Sequence, residues 1–198
     1  MQITDHTHNA EGPAWSPAGD RIAFAWQFDI FFNIFTMDPN GNNKIPLTND
    51  EVSQYAPNWS PDGSLIAFDS PPPDGSEIFQ EIFTVPTGRG AETRLTANSV
   101  DDRSPAWSPD GARIAFESGR DGNLELYMMN SDGSGVVRLT NDPADDIDAD
   151  WSPDGKCLAF ASKRTGNFDL FILTLATGEL RDLTLGNATS DRWPSWGP

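Results

Sequence analysis

Residues Trp107 to Phe116 read WSPDGARIAF, and nearly the same ten residues recur at Trp15 to Phe24 (WSPAGDRIAF), Trp59 to Phe68 (WSPDGSLIAF) and Trp151 to Phe160 (WSPDGKCLAF). Each copy describes a hairpin. The tryptophan ends one apolar strand, Ser-Pro-Asp-Gly makes a tight turn, and the Ile-Ala-Phe core begins the next strand. Proline presets φ at the second turn position, aspartate hydrogen-bonds its own following backbone, and glycine accepts a positive φ without steric cost.

Outward from these hairpins the chain is periodic. Tryptophans at positions 15, 59, 107, 151 and 196 are spaced by 44, 48, 44 and 45 residues, the period of one four-stranded propeller blade. A closing Leu-Thr recurs at Thr48, Thr96, Thr140 and Thr184, with Ile3-Thr4 as its counterpart at the start. An aromatic residue precedes each of those four threonines by 13 positions: Phe35, Phe83, Tyr127 and Phe171. The extra residues of the second repeat therefore fall between Phe68 and Phe83. The three prolines there, Pro71 to Pro73, cannot supply ladder hydrogen bonds to a central strand, so that stretch reads as a protruding loop.

Each repeat resolves into four short strands. Strand a ends at the Trp, strand b carries Ile-Ala-Phe, strand c carries the Phe or Tyr, and strand d ends at Leu-Thr. No stretch sustains a 3.6-residue apolar period, so helix should be nearly absent. The expectation is an all-β chain, a β-propeller of four-stranded antiparallel blades. It forms one domain over residues 1–198, with repeat units at about 5–48, 49–96, 97–140 and 141–184 and a partial unit at 185–198. Left over are a candidate strand d at Gln2 to Thr4 and a candidate strand a at Trp193 to Trp196. Such surplus strands have three possible destinations: the chain's own blades, a partial fifth blade, or a neighbouring molecule.

WSPDG, IAF, the Asp-Gly or Thr-Gly turn, the aromatic strand and the closing Leu-Thr resemble the WD-like β-propeller repeat of the TolB family. The resemblance covers essentially all of the chain. It departs from the pattern at Ala18, where the turn Asp is expected, and at Ala149, where Pro13, Pro57 and Pro105 stand in the other copies. Relatives of this type have six or more blades, and TolB itself has an additional domain. The resemblance implies a periplasmic, extracellular or cell-surface location and a role in binding protein partners at the mouth of the central channel.

The charge balance is 13 basic against 30 acidic residues, a formal net charge of -17, which opposes nucleic acid or an anionic membrane surface as partner. No apolar run approaches the length of a membrane span. The start, MQITDHTHNAEGPAW, has neither the basic nor the apolar region of a signal peptide. One cysteine, Cys157, excludes an intrachain disulfide and reads as a packed thiol.

Enzyme chemistry is poorly represented. There is no G-x-S-x-G nucleophile elbow and no phosphate-binding glycine motif. His6 and His8 are too few for a zinc site without a third ligand. Asn187-Ala188-Thr189 has the form of a glycosylation acceptor, as triplets often do by chance. Acidic residues before the Trp strands, Asp101, Asp102, Asp145, Asp146 and Asp148, supply the hard oxygen ligands that Ca²⁺ takes, and solvated turn residues are the competing reading. Trp26, Phe28, Phe31 and Phe32 exceed what one strand face needs. They form either a thickened core or, with Trp193 and Trp196, an apolar contact surface.

The leading expectation is a non-enzymatic propeller that acts as a structural, self-assembling protein-interaction module outside the cytoplasm, an oligomer or filament subunit bridged by Ca²⁺. The alternative is a TolB-like periplasmic binding module for another protein or peptide. A metal-dependent hydrolase or lyase is a third reading.

Overall fold

The computed structural model describes residues 3–4, 8–27, 29–76, 78–186 and 188–197. Sixteen strands form four antiparallel sheets of four strands each, with no helix among the described residues. Blade 1 contains β1 (Ala10–Trp15), β2 (Ile22–Gln27), β3 (Phe32–Met37) and β4 (Ile45–Pro46). Blade 2 contains β5 (Tyr55–Trp59), β6 (Leu65–Ser70), β7 (Glu81–Pro86) and β8 (Thr93–Arg94). Blade 3 contains β9 (Asp102–Trp107), β10 (Arg113–Ser118), β11 (Glu125–Asn130) and β12 (Val137–Arg138). Blade 4 contains β13 (Asp146–Trp151), β14 (Cys157–Ser162), β15 (Asp169–Thr174) and β16 (Glu179–Asp182). Every sheet runs in simple a-b-c-d order, so the fold is a β-propeller of four-stranded blades. The chain divides into two compact units, Met1–Pro105 and Ala106–Pro198, and the division falls inside β9.

The repeated turn is built as its residue types require. In all four copies the serine carbonyl accepts the N–H of the glycine three residues on, at 2.8 to 2.9 Å. The serine Oγ also accepts the N–H five residues on, at 2.9 Å, from Arg21, Leu65, Arg113 and Cys157. In three copies that hydroxyl donates to the turn aspartate, Asp62, Asp110 or Asp154. Where Ala18 replaces the aspartate, Ser16 donates to Asp20 instead, at 2.8 Å. The serine hydroxyl and the neighbouring N–H hold the Asp62 and Asp154 pKa down at about 2, which marks them as turn carboxylates.

Alternation along strand b sets the core. Ala23 and Ala25 face one way on β2, and Ile22 and Phe24 face the other. In the first unit those alanines and Ile34 meet Ile66, Phe68, Phe83 and Val85 of blade 2, so a small surface receives a large one. Ala106 and Ala115 meet Trp151 and Leu158 of blade 4 in the same way in the second unit. Phe24, Phe68, Phe116 and Phe160 are fully buried, each contributing about 2–3 kcal/mol of apolar burial.

The Leu-Thr landmark is a hydrogen-bonding hub. Oγ1 of Thr48, Thr96, Thr140 and Thr184 accepts the N–H of Ile34, Ile82, Leu126 and Leu170 respectively, at 2.8 to 3.0 Å. Each hydroxyl then donates onward, Thr48 to Gln54, Thr96 to Glu81, Thr140 to Glu125 and Thr184 to Asp169. The fixed interval between strand c and the threonine follows from this bond.

Strand a carries a bulge. Pairing with strand b shifts register between Glu11 and Ala14, Tyr55 and Asn58, and Ile147 and Asp150. The bulge residue has positive φ in every copy: Gly12, Ala56, Ser104 and Asp148, with Trp193 in the equivalent place of the partial repeat. Proline follows it in most copies because the bulge needs no ladder N–H there, and Ala149 shows that the bulge forms without it.

The candidate terminal strands are not strands among the described residues. Gln2 lies outside those residues. Ile3 packs on the core of blade 1 beside Trp26, and a Cβ on Gly41 would lie 2.3 Å from the Ile3 carbonyl oxygen. Trp196 packs on blade 4 through a backbone N–H bond to Asp150 Oδ2 at 2.9 Å and an indole bond to the Asp150 carbonyl at 3.2 Å. Lacking a partner strand, both tails settle as irregular segments on their own units.

Candidate functional site

Strands b and c are joined at the same end of each sheet at which strand a begins. Loops b–c and d–a therefore share one end, and the WSPDG turns occupy the other. The loop between β6 and β7 is the longest of the b–c set and spans residues 71–80, as the three prolines require.

The five candidate calcium ligands are each engaged within their own unit. Asp101 accepts the Gln80 N–H at 3.0 Å and pairs with Arg103 at 3.3 Å. Asp102 is fully buried and accepts from Asn98 Nδ2 at 2.6 Å. Asp145 accepts the Leu124 N–H at 3.2 Å and stands 3.9 Å from Lys163 Nζ. Asp146 is buried under a bidentate contact from Arg164 at 2.9 and 2.7 Å; burial raises its pKa, and the guanidinium opposes that rise. Asp148 pairs with Arg192 at 2.8 Å. No group of three or more His, Cys, Asp or Glu side chains poised to hold a metal ion occurs among the described residues. His6 lies outside them, and the His8 ring sits edge-on to Trp26 at 5.3 Å. Cys157 is half-buried, its Sγ 4.0 Å from Thr174 Oγ1.

Further carboxylates are structural. Glu81 and Glu125 are wholly buried, each paired with an arginine, Arg94 at 3.1 Å and Arg138 at 3.0 Å, and each accepts a loop N–H. Asp69 and Glu117 cap the bulges of strand a. Ser104 N–H donates to Asp69 Oδ2 at 2.9 Å, and Asp148 N–H to Glu117 Oε1 at 2.8 Å. Burial pushes Asp69 up to about 6. Ala25 and Ala161 hold the same strand position in blades 1 and 4, so the acid at that position in blades 2 and 3 is the sequence difference that could have pointed to these caps, and the motif reading passed over it.

The aromatic residues of blade 1 divide. Trp26 is half-buried, 4.9 Å from the Phe35 ring, with Lys44 Nζ 5.7 Å from its centroid. Phe32 packs on Tyr55 at 5.2 Å and belongs to the core of the first unit. Phe28 lies outside the described residues, as does Asn187. Among the described residues of the first unit, the exposed large apolar side chains at the loop end are Ile30, 68% exposed, and Ile78, 84% exposed. Ile30 and the half-buried Phe31 line a pocket of about 540 Å³ with Asp29, Asn49, Asp50 and Glu51. Asp50 also reaches Gln54 Nε2 at 2.9 Å, and burial followed by the Asp50 carboxylate raises the pKa of nearby Glu92. Apolar side chains set beside carboxylates are the arrangement that receives a basic side chain on an apolar stem.

Two other cavities lie between WSPxG turns at the opposite end. One, about 630 Å³, is lined by Pro17, Arg21, Trp59 and Asp62 in the first unit, and one, about 450 Å³, by Pro109, Arg113, Pro153 and Asp154 in the second. Their recurrence makes them a property of the repeat. Trp193 is 74% exposed and Trp196 is half-buried on blade 4, both in the second unit, and the blade 1 aromatics belong to the first.

The sequence pattern of the TolB beta propeller domain matches residues 73–198. Among solved structures, the chain is similar to TolB from Acinetobacter baumannii, with 25% identity and a TM-score of 0.78 over 91% of this chain and 45% of that one. A putative TolB from Agrobacterium tumefaciens has 23% identity and a TM-score of 0.78 over 87% of this chain and 64% of that one. An oligogalacturonate lyase in complex with manganese shares the fold at 17% identity and a TM-score of 0.71, covering 93% of this chain and 55% of that one. The chain thus spans between 45% and 64% of the two TolB structures' length. No curated protein sequence matches it. No helix among the described residues is long and apolar enough to cross a membrane.

Proposed function

Because this chain belongs to the TolB beta propeller domain family, we propose that it is a non-catalytic binding module of the cell envelope that takes another protein or an extended peptide at the loop end of its first unit. One observation carries the reading: the 540 Å³ pocket combines the exposed Ile30 and the Phe31 ring with the carboxylates of Asp29, Asp50 and Glu51. A partner segment with alternating basic and apolar side chains satisfies both halves of that surface. The net charge of -17 draws such a segment in and repels acidic competitors. Affinity in this reading comes from apolar contact at Ile30 and Phe31, and selectivity from the carboxylate rim.

The test is a calorimetric titration of the full chain with a peptide of alternating arginine and leucine. Saturable binding that weakens with salt, and weakens about tenfold in an Asp29→Asn, Glu51→Gln double variant, supports the reading. Binding that ignores both carboxylates contradicts it.

A further inference from the structure

A line of hydrogen bonds runs inward from the wall of the 540 Å³ pocket in the first unit. Asn33 on β3 accepts the Asp50 N–H at 2.8 Å and donates to the Asp50 carbonyl at 3.4 Å, so this pocket residue is fixed by its backbone. Its carboxylate accepts Nε2 of Gln54 at 2.9 Å, and the same nitrogen stands 3.5 Å from Oε1 of Glu92. Gln54 is wholly buried, and its Oε1 is taken by the Thr48 hydroxyl. Two carboxyl groups, one from the loop between β4 and β5 and one from just before β8, therefore meet at a single buried amide.

The repeat shows what is particular to this place. Asp50 and Gln54 stand where the next copy has Asn98 and Asp102, and there Asn98 Nδ2 donates to Asp102 at 2.6 Å, the same acid–amide couple with its roles exchanged. Glu92, four positions before Thr96, stands where Lys44, Val136 and Leu180 precede the other three threonines. A second acid has thus been added beside the couple only where that couple borders the pocket.

No cation sits between the two acids. Among the described residues neither Asp50 nor Glu92 has an ion pair, and Glu92 Oε2 is buried without a hydrogen-bond donor. Arg94, two residues along the chain from Glu92, is committed to Glu81 at 3.1 Å and to the Thr96 carbonyl at 2.7 Å. The other charged groups lining the pocket are Asp29 and Glu51, of the same sign as Asp50. Carboxyl groups placed in this way keep a proton between them. Burial first, and the Asp50 carboxylate second, push Glu92 up to about 8 against the opposing Gln54 bond. At pH 7 the pair still holds that proton.

We infer that a basic side chain entering the pocket drives the proton shared by Asp50 and Glu92 out to solvent, so that the module holds its partner more tightly as pH rises and releases it on acidification. The inference rests on the pocket reading above and adds its regulation. A guanidinium or ammonium beside the Asp50 carboxylate favours the fully ionised pair, as a nearby opposite charge does for any carboxylate. The free chain keeps the proton up to about pH 8, and the bound chain gives it up at lower pH. Affinity therefore rises with pH through the neutral range, by up to about tenfold per pH unit for one proton. Line and pocket both lie within the first unit, and the Asn33 bonds to Asp50 keep the responding carboxylate at the pocket wall.

The experiment is calorimetric titration of the full chain with an end-blocked arginine–leucine peptide at pH 7, in phosphate and in Tris, whose different ionisation enthalpies let the heats count protons. The native chain should release close to one proton per peptide bound, and should bind at least about tenfold tighter at pH 8 than at pH 6. Glu92→Gln should still bind, with no proton released and a level affinity across the same range. If that variant folds poorly, carbon-13 NMR of the native Glu92 carboxyl reads the same event, and its shift should pass from acid to carboxylate when peptide is added at pH 7. Binding by the native chain without proton release, or equal release from Glu92→Gln, would overturn the inference and leave the pocket reading standing. Absence of binding at every pH would overturn both.

Discussion

The backbone N–H of Ser104 donates to Oδ2 of Asp69 at 2.9 Å, binding the left-handed bulge of strand a to a carboxylate buried on the preceding blade. Burial is the main reason its pKa is raised to about 6, with the Ser104 bond and Arg103 opposing. An unfolded aspartate titrates near ~3.9. The native state therefore keeps a proton between about pH 4 and 6 that the unfolded chain has lost, and stability from this group is lost as pH rises through 6. Asp69→Asn should gain about 2 kcal/mol on the native chain between pH 4 and pH 7. Urea unfolding at the two pH values measures it, and an unchanging difference would refute the assignment.

The repeat tryptophans are chemically identical and should behave unequally. Trp151→Ala removes a buried ring and its bond to Ala106, and should cost about 3–5 kcal/mol. Trp151→Phe keeps most of the ring and should cost about 1–2 kcal/mol through the stranded Ala106 carbonyl. Trp15→Ala should stay within about 0.5 kcal/mol. Chemical denaturation of dilute samples ranks the three.

The first turn carries a testable substitution of partners. Asp20→Ala should cost about 1 kcal/mol, since Ser16 loses the acceptor that stands in for the missing turn aspartate. Adding Ala18→Asp should restore most of it by rebuilding the Ser60–Asp62 arrangement found in the second copy. Thermal melting of the single and double variants checks the rescue, and an additive double loss would sink it.

Gly41 has φ +84° and meets Ile3, whereas Gly19 has φ +70° and open space around it. Both alanine variants pay for the left-handed backbone, about 1 kcal/mol. Only Gly41→Ala must also move the Ile3 carbonyl, so it should melt lower than Gly19→Ala. Equal melting temperatures would show that Ile3 does not dock.

Blade number, strand order and turn chemistry were all legible because each repeat states them four times over. The serine turn and the Leu-Thr hub correspond one to one with bonds observed in all four copies. The tails were not legible as structure. Trp193 to Trp196 has the letters of a strand a, but strand formation depends on a partner ladder that local sequence does not contain. The engagement of the acidic loops was not legible for a related reason. Asp102 and Asp146 look like free ligands in the sequence, and only three-dimensional pairing with Asn98 and Arg164 shows them committed. Asp50 and Ile30 are twenty positions apart, and nothing in the spacing announced a common pocket.

Hydrogen–deuterium exchange of the full chain, with and without the arginine–leucine peptide, tests the binding reading most directly. The account predicts added protection at residues 29–33 and 49–51, with the WSPDG turns unchanged. Protection confined to those turns, or none at saturating peptide, would contradict it.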